Sequence, residues 1–357
     1  MITVQVFLWW GGGFAAAYLL TGWVLRHAPG LGMVDEPNHR SSHIHPTPRG
    51  GGLGVLLGFF ALWSVFLIAG VAPVDLPSAP WALGAALALV AFIGFLDDRG
   101  HVPALVRLVV QFVSATLVVW ALGSPEVRGL EFVPTQVMGA LSVVALVWVI
   151  NLYNFMDGTD GIAGIEAATV LGAGGVVSAL GATDIHAALF VPWLLAAGTL
   201  GFLLWNWPPA RIFMGDAGSN FLGLAIGALA IDAYHRFAVD PVAWVILGAV
   251  FFADATWTLI RRLLRGERIH QAHRSHAYQL IALRLIERFS RRDADVTESR
   301  RRAHRAVSLG VLAINLLWLF PLAVVAVRWP EWAWEALVAA YVPLMLVCLR
   351  SGAGSAE

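Results

Sequence analysis

VMGALSVVALVWVINLYNFMDGTDGIAG, Val137–Gly164, joins a long uncharged run to a cluster of two Asn and two Asp. A bilayer core of roughly 30 Å takes about 20 apolar residues to cross as a helix. Carboxylates at the mouth of such a helix are costly and mark a pathway or a reaction. Gly158, Gly161 and Gly164 let the backbone turn tightly or approach a ligand closely. Asn151–Gly164 therefore reads as a membrane–water boundary that holds a metal-bound phosphate ligand. A plain polar loop between two helices is the alternative, and four further loops of similar chemistry decide against it.

The rest of the chain carries the same signature. Of 357 residues, 59% are hydrophobic and 13% are charged, and the mean hydropathy is +0.73. Soluble domains carry roughly 25% charge, so the composition is that of a polytopic membrane protein. All 23 basic residues are Arg, which excludes a Lys nucleophile or Schiff base. The lone Cys348 excludes an intrachain disulfide. No basic stretch precedes the first apolar run, which is therefore expected to be a retained span rather than a cleaved signal.

Eleven apolar runs can be drawn: Val4–Leu25, Leu53–Val71, Trp81–Leu96, Ala104–Leu122, Val137–Tyr153, Ile162–Leu180, Ala187–Trp205, Phe221–Tyr234, Val242–Ile260, Val307–Val327 and Trp332–Leu349. Phe221–Tyr234 is short for a span. The expectation is an all-α polytopic membrane protein with about 11 transmembrane helices and one integral domain, residues 1–357. Orientation follows the Arg-rich loops. Arg261–Arg305 holds 13 Arg against five acidic residues, an excess of eight, and should be cytoplasmic. Counting spans from it puts Arg26–Gly50, Asp97–Pro103, Asn154–Gly161 and Asn206–Asn220 on that same side. The outer connections are short and plain. The sequence thus predicts a cytoplasmic active site built from five loops, with the N-terminus outside and the C-terminus inside.

Each loop has its own chemistry. DEPNHRSSHIHPTPRGGG (Asp35–Gly52) is cationic through Arg40, His43, His45 and Arg49. It suits either anionic headgroups or a phosphorylated lipid or nucleotide. FLDDRG places Asp97 and Asp98 at a helix end. Adjacent carboxylates on a helix point about 100° apart, so one can face a site while the other fixes a neighbour. Acidic charge at a helix C-terminus opposes the helix dipole, so the pair has no helix-stabilising reason to be there. Asn154, Asp157 and Asp160 recur at three-residue spacing and could line one side of a helical turn. Their hard oxygens suit Mg²⁺, which takes one or two protein ligands and fills its shell with phosphate and water. Asp216 lies between Gly215 and Gly218, where a metal or pyrophosphate can come close, and Ser219 or Asn220 could cap the following helix. HQAHRSHAYQL adds His270, His273, Arg274 and His276, better matched to phosphate than to zinc because no Cys or HExxH pattern accompanies them. Tyr278, Ile281, Leu285 and Phe289 then form an amphipathic stripe, and Asp295 with Glu298 forms a capping pair. Asp254 reads equally as a buried tie and as support for the site, and Asp232 reads as structural.

PNHRSSHIHPTPRGG, FLDDR with Arg107 and Gln111, NLYNFMDGTDG, FMGDAGS and the histidine loop, in this order, resemble the polyprenyl-phosphate N-acetylhexosamine-1-phosphate transferases of glycosyltransferase family 4. The resemblance covers residues from about 35 to 280. Eleven spans look like the O-antigen-initiating branch rather than the related phospho-MurNAc-pentapeptide translocase. The last motif, His273-Arg274-Ser275-His276, departs from the family's usual HxHH and is similar to a subgroup that uses deoxy-amino sugars. The resemblance implies transfer of a sugar 1-phosphate from a UDP-N-acetylhexosamine to undecaprenyl phosphate, releasing UMP. It implies Mg²⁺, with Mn²⁺ as the alternative ion, held by Asn154 and Asp216. It implies Asp97 and Asp98 at the lipid phosphate, with His276 joined by His273 and Arg274 on substrate phosphate. Asp160 falls at the uracil end, Asp157 supports the loop, and Arg40 and His45 belong to the substrate-binding first loop. Membrane lipids surround such an enzyme in the bacterial inner membrane; no nucleic acid is a partner, and a homodimer is compatible. The rival from another class is a transporter or lipid-sugar flippase. That reading is disfavoured because the polar sets sit at span ends rather than near the midplane.

Overall fold

The computed structural model describes residues 2–37, 46–70, 80–267, 274–291 and 295–355. Its helices are α1 (Ile2–His27), α2 (Gly52–Ile68), α3 (Pro80–Arg99), α4 (Ala104–Leu122), α5 (Thr135–Met156), α6 (Ile162–Gly181), α7 (Ile185–Asn206) and α8 (Gly215–Phe237). They continue with α9 (Pro241–Leu247), α10 (Ala249–Leu264), α11 (Ala277–Ser290), α12 (Val296–Ile314), α13 (Phe320–Arg328) and α14 (Ala333–Ser351). One small antiparallel ladder pairs β1 (Val34–Asp35) with β2 (Thr47–Pro48). The chain is an all-α multi-pass membrane protein. At 1.5 Å per residue, helices of about 20 residues match the bilayer core. Among the described residues, eight helical segments are long and apolar enough to cross, or nine if a bent pair counts as one; Gly52–Ile68 is shorter but apolar. Length and composition thus qualify fewer spans than the eleven predicted.

The elements differ from the predicted runs in three ways. The eighth run is not short, because its helix starts six residues early at Gly215 and buries Ala217–Ile226 against its neighbours. The ninth run is not straight: α9 and α10 meet at Gly248 with a bend of 79°. The tenth begins at Val296, so Arg300–Arg305 lies on a helix rather than in a loop. Asp295 caps that helix as predicted, accepting the Thr297 N–H at 2.8 Å.

Helix α8 sits at the centre, packed on α2, α3, α5 and α6. Side chains of α4 such as Leu105, Val109 and Trp120 are exposed and apolar, as a lipid-facing surface requires. A buried polar tie fastens the far end of α12 to α6. Asn315, at the start of a π-helical segment, donates to Glu166 Oε2 and to Thr169 Oγ1, both at 2.7 Å.

Candidate active site

The C-terminal end of α3, the N-terminal end of α8 and the segment before α2 meet at one end of the bundle. Gly51 and Gly52 donate N–H bonds to the Phe213 and Met214 carbonyls (2.8 and 2.9 Å), and Phe213 returns one to Pro48 (2.9 Å). Arg49 reaches the exposed carbonyls at the end of α3, donating to Asp98 O at 2.8 Å and Asp97 O at 3.3 Å. Those carbonyls have no partner within the helix, and a cation there also offsets the dipole.

Asp98 is fully buried. Its two carboxylate oxygens accept the N–H groups of Asp216 (3.0 Å) and Ala217 (3.1 Å), so an acid on α3 caps α8. Gly215 has φ +79°, and a Cβ there would lie 2.6 Å from Asp98 Oδ2, so only glycine admits the carboxylate. Ser219 and Asn220, predicted as the caps, sit one turn inside the helix. Ser219 instead accepts a bond from Asn154 Nδ2 at 3.0 Å.

Asp97 diverges from Asp98 as helical geometry demands. Its Oδ1 accepts the Val102 N–H at 2.8 Å, and its Oδ2 accepts Arg107 Nη1 at 2.6 Å. The same Arg107 nitrogen lies 3.3 Å from Asp216 Oδ2. Arg107 thus bridges two of the candidate carboxylates. Beside it, Asn151 donates to Gln111 Oε1 at 2.7 Å, holding α5 to α4.

Asn154, Asp157 and Asp160 do not share one helical face. Helix α5 ends at Met156, and Asp157 leaves it with φ −84° and ψ 54° because the glycines beyond break the helix. Asn154 stays on the last turn of α5, where its amide bonds Ser219. Burial holds the Asp157 carboxyl well above the usual carboxylate range, and the charges of Asp216, Asp98 and Asp160 push it the same way. Asp160 faces the opposite loop, its Oδ2 accepting the Ala210 N–H at 3.1 Å. Asn206 ties the two loops again, accepting from Gly161 N and donating to Ile212 O, each at 2.9 Å.

The histidine loop docks on the same set. His276 is buried at the N-terminus of α11 in a capping box with Gln279. Its Nδ1 lies 3.4 Å from Asp254 Oδ1. Asp254, on α10, accepts the Ala277 N–H at 2.8 Å and the Tyr278 N–H at 3.0 Å, which settles it as the anchor of α11. Tyr278 donates its hydroxyl to Phe155 O at 3.3 Å and packs against Gly158, where a Cβ would overlap the phenol oxygen. Burial keeps that phenol protonated by raising it well above its ordinary value. Arg274 lies half-buried in the preceding turn.

Asp98 meets Asp216 directly, Asp97 reaches it through Arg107, and Asn154 meets the same helix end at Ser219, whereas Asp160 bonds the 207–212 loop and His276 pairs with Asp254. Arg40, His43, His45, His270 and His273 lie outside the described residues. Three residues that the motifs do not single out complete the set. Tyr278 is hidden in an amphipathic stripe, and Asp254 bonds groups 23 and 24 residues away. His304, in a basic run, has its Nδ1 3.3 Å from Asp160 Oδ2.

The profile of Glycosyl transferase family 4 matches residues 80–234. The chain is 30% identical over 285 residues to the probable undecaprenyl-phosphate N-acetylglucosaminyl 1-phosphate transferase of Bacillus subtilis, covering 76% of each chain. It is 31% identical over 309 residues to the decaprenyl-phosphate N-acetylglucosaminephosphotransferase of Mycobacterium tuberculosis, covering 74% of this chain and 75% of that one. With the undecaprenyl-phosphate alpha-N-acetylglucosaminyl 1-phosphate transferase of Yersinia pestis it shares 28% identity over 337 residues, 90% of this chain and 85% of the relative.

Proposed function

The chain belongs to glycosyl transferase family 4, and on that premise we propose that it transfers an N-acetylhexosamine 1-phosphate from a UDP-sugar to undecaprenyl phosphate, releasing UMP. The donor is a UDP-N-acetylhexosamine, deoxy-amino sugars among the candidates, and the product starts an O-antigen or related envelope polysaccharide. The Arg-rich loop beside the site supports a cytoplasmic-facing pocket in the bacterial inner membrane. One integral domain, residues 1–357, carries the activity, alone or as a homodimer.

The observation that carries this reading is the meeting of Asp97, Asn154 and Asp216 from three helix ends at one end of an apolar bundle. The donor types suit Mg²⁺: the carboxylates of Asp216 and Asp157 and the amide oxygen of Asn154 are hard oxygens on neighbouring helix ends. Two protein oxygens leave room for phosphate and water, the usual arrangement for that ion. Asn154 and Asp216 would hold Mg²⁺ or Mn²⁺, which neutralises charge on the pyrophosphate when bound. Arg107 and Asp97 face the same space, and the guanidinium suits an incoming phosphate. Asp98 sets the start of α8, and with it the place of Asp216. Arg274, His273 and His276 grip substrate phosphate, Asp157 and Asp160 shape the nucleotide end, and Arg40 and His45 belong to the acceptor side.

The acceptor monoester, with a second pKa of about 6, is mostly dianionic at neutral pH. No group on the protein has to remove a proton from it. Catalysis then rests on alignment and on neutralising the charge of departing UMP. The test is UMP release by the purified protein, with undecaprenyl phosphate and a panel of UDP-N-acetylhexosamines, before and after chelation of divalent ions. Absence of UMP release with every donor would refute the proposal.

A further inference from the structure

The first turns of α12 grip both loops that carry the nucleotide-side residues. His304 and Ser308, four apart on one helical face, both meet Asp160. Nδ1 of His304 lies 3.3 Å from Asp160 Oδ2, and Ser308 Oγ donates to Asp160 O at 3.0 Å. Next to His304, Arg305 donates to Pro208 O at 3.0 Å. These three contacts land on 157–161 and 207–212, the loops that Asn206 and the Asp160–Ala210 bond already stitch together. Asp157 lies three residues before Asp160, and Asp216 four residues after Ile212. A shift of the stitched pair therefore moves both ends of the candidate pocket.

His304 is only 3% exposed. An imidazole in such a place is costly without a polar partner, and the group facing it is the Asp160 carboxylate, within ion-pair range though out of hydrogen-bonding alignment. Arg300–Arg305 reads from sequence as topogenic charge, yet His304 and Arg305 each have a specific address. We propose that His304 is a positioning residue for sugar-nucleotide binding: by fixing Asp160 from α12, it sets the separation of the two loops that receive the nucleotide. This rests on the transferase reading for the identity of the ligand. On the acceptor side, Asp97 is held from α3 and α4 by the Val102 N–H and Arg107, and meets the clamp only indirectly, through the Arg107–Asp216 contact.

The test is equilibrium binding of UMP with Mg²⁺ to the purified protein in detergent, alongside turnover at varied donor and acceptor. Losing the close approach to the Asp160 carboxylate should weaken UMP binding of His304→Ala by roughly 10-fold or more. Donor KM should rise with it, and by clearly more than acceptor KM. His304→Asn, whose amide can donate to Asp160, should return most of the affinity, which a merely structural role would not predict at an unchanged unfolding temperature. If His304→Ala does not fold, Ser308→Ala serves, with a smaller loss of UMP affinity. Equal UMP affinity in wild type and the folded variant overturns the clamp, as does failure of wild type to bind UMP. UMP binding that follows the expected pattern without any turnover overturns the transferase reading alone.

Discussion

Asp98 reaches across from α3 to accept the backbone N–H of Asp216 at 3.0 Å, so one candidate carboxylate is the helix cap that holds another in place. The bond converts a question about proton transfer into one about geometry. Asp98→Asn keeps the shape but loses the charge at the α8 N-terminus and one of two acceptors. The expected result is a large loss of UMP release that is as severe at pH 9 as at pH 7. A cap loss of about 1–2 kcal/mol should appear in the unfolding curve. Near-normal rates at pH 9 would reinstate Asp98 as a base.

Arg107 touches Asp97 Oδ2 and Asp216 Oδ2 with one nitrogen. Arg107→Lys preserves the charge and loses the planar fork. Arg107→Ala should lower kcat/KM by about 30-fold or more, the equivalent of about 2 kcal/mol for bonds to charged groups. Lys should recover only part of it. Steady-state kinetics with undecaprenyl phosphate as the varied substrate measure the difference.

Gly158 and Tyr278 form a matched pair, since a methyl group on the first would collide with the hydroxyl of the second. Gly158→Ala alone should impair activity and stability. Tyr278→Phe alone removes one hydrogen bond, worth about 1 kcal/mol. The double variant should be better than Gly158→Ala, giving a coupling opposite in sign to simple addition. Thermal unfolding of the four proteins of this cycle checks it.

Asp157 holds its proton more tightly in the folded protein than an ordinary carboxylate does. For a carboxylate raised on folding, the protonated state favours the fold. Its stabilising effect is complete below the unfolded value of about 4 and is lost as pH rises through the folded value. On the proposed Mg²⁺ reading, a divalent cation would compete for the same site charge. Apparent Mg²⁺ affinity should therefore strengthen as pH rises, with proton uptake by the buffer. Added Mg²⁺ should stabilise more at high pH than at low pH. Unfolding temperatures on a grid of pH and Mg²⁺, for wild type and Asp157→Asn, test this, and the dependence should shrink in the variant.

Much of this architecture is visible in the chain, because apolar runs and the polar sets at their ends depend on local composition. The divergence of Asp97 from Asp98 follows from helix pitch alone. The occupants of the cap on α8 do not, since Asp98 lies 118 residues before Asp216 and no local pattern links them. Asn154, Asp157 and Asp160 mislead for the reverse reason: their spacing is helical, but Gly158 and Gly161 end the helix between them. Asp254 is ambiguous until α11 folds back onto it. His304 is camouflaged by four neighbouring arginines whose charge already has a topological explanation.

Because α12 grips the DGTDG loop, the order of synthesis matters. The residues matched by the family profile end at 234, whereas Asp254, Tyr278 and His304 leave the ribosome later. A growing chain thus exposes its acidic loops before it has made the parts that brace them. On the proposed reading, the pocket would be braced only once the tenth apolar run is inserted, so a fragment ending after α8 should keep Asp97, Asp98, Asn154, Asp157, Asp160 and Asp216 and still fail to retain UMP.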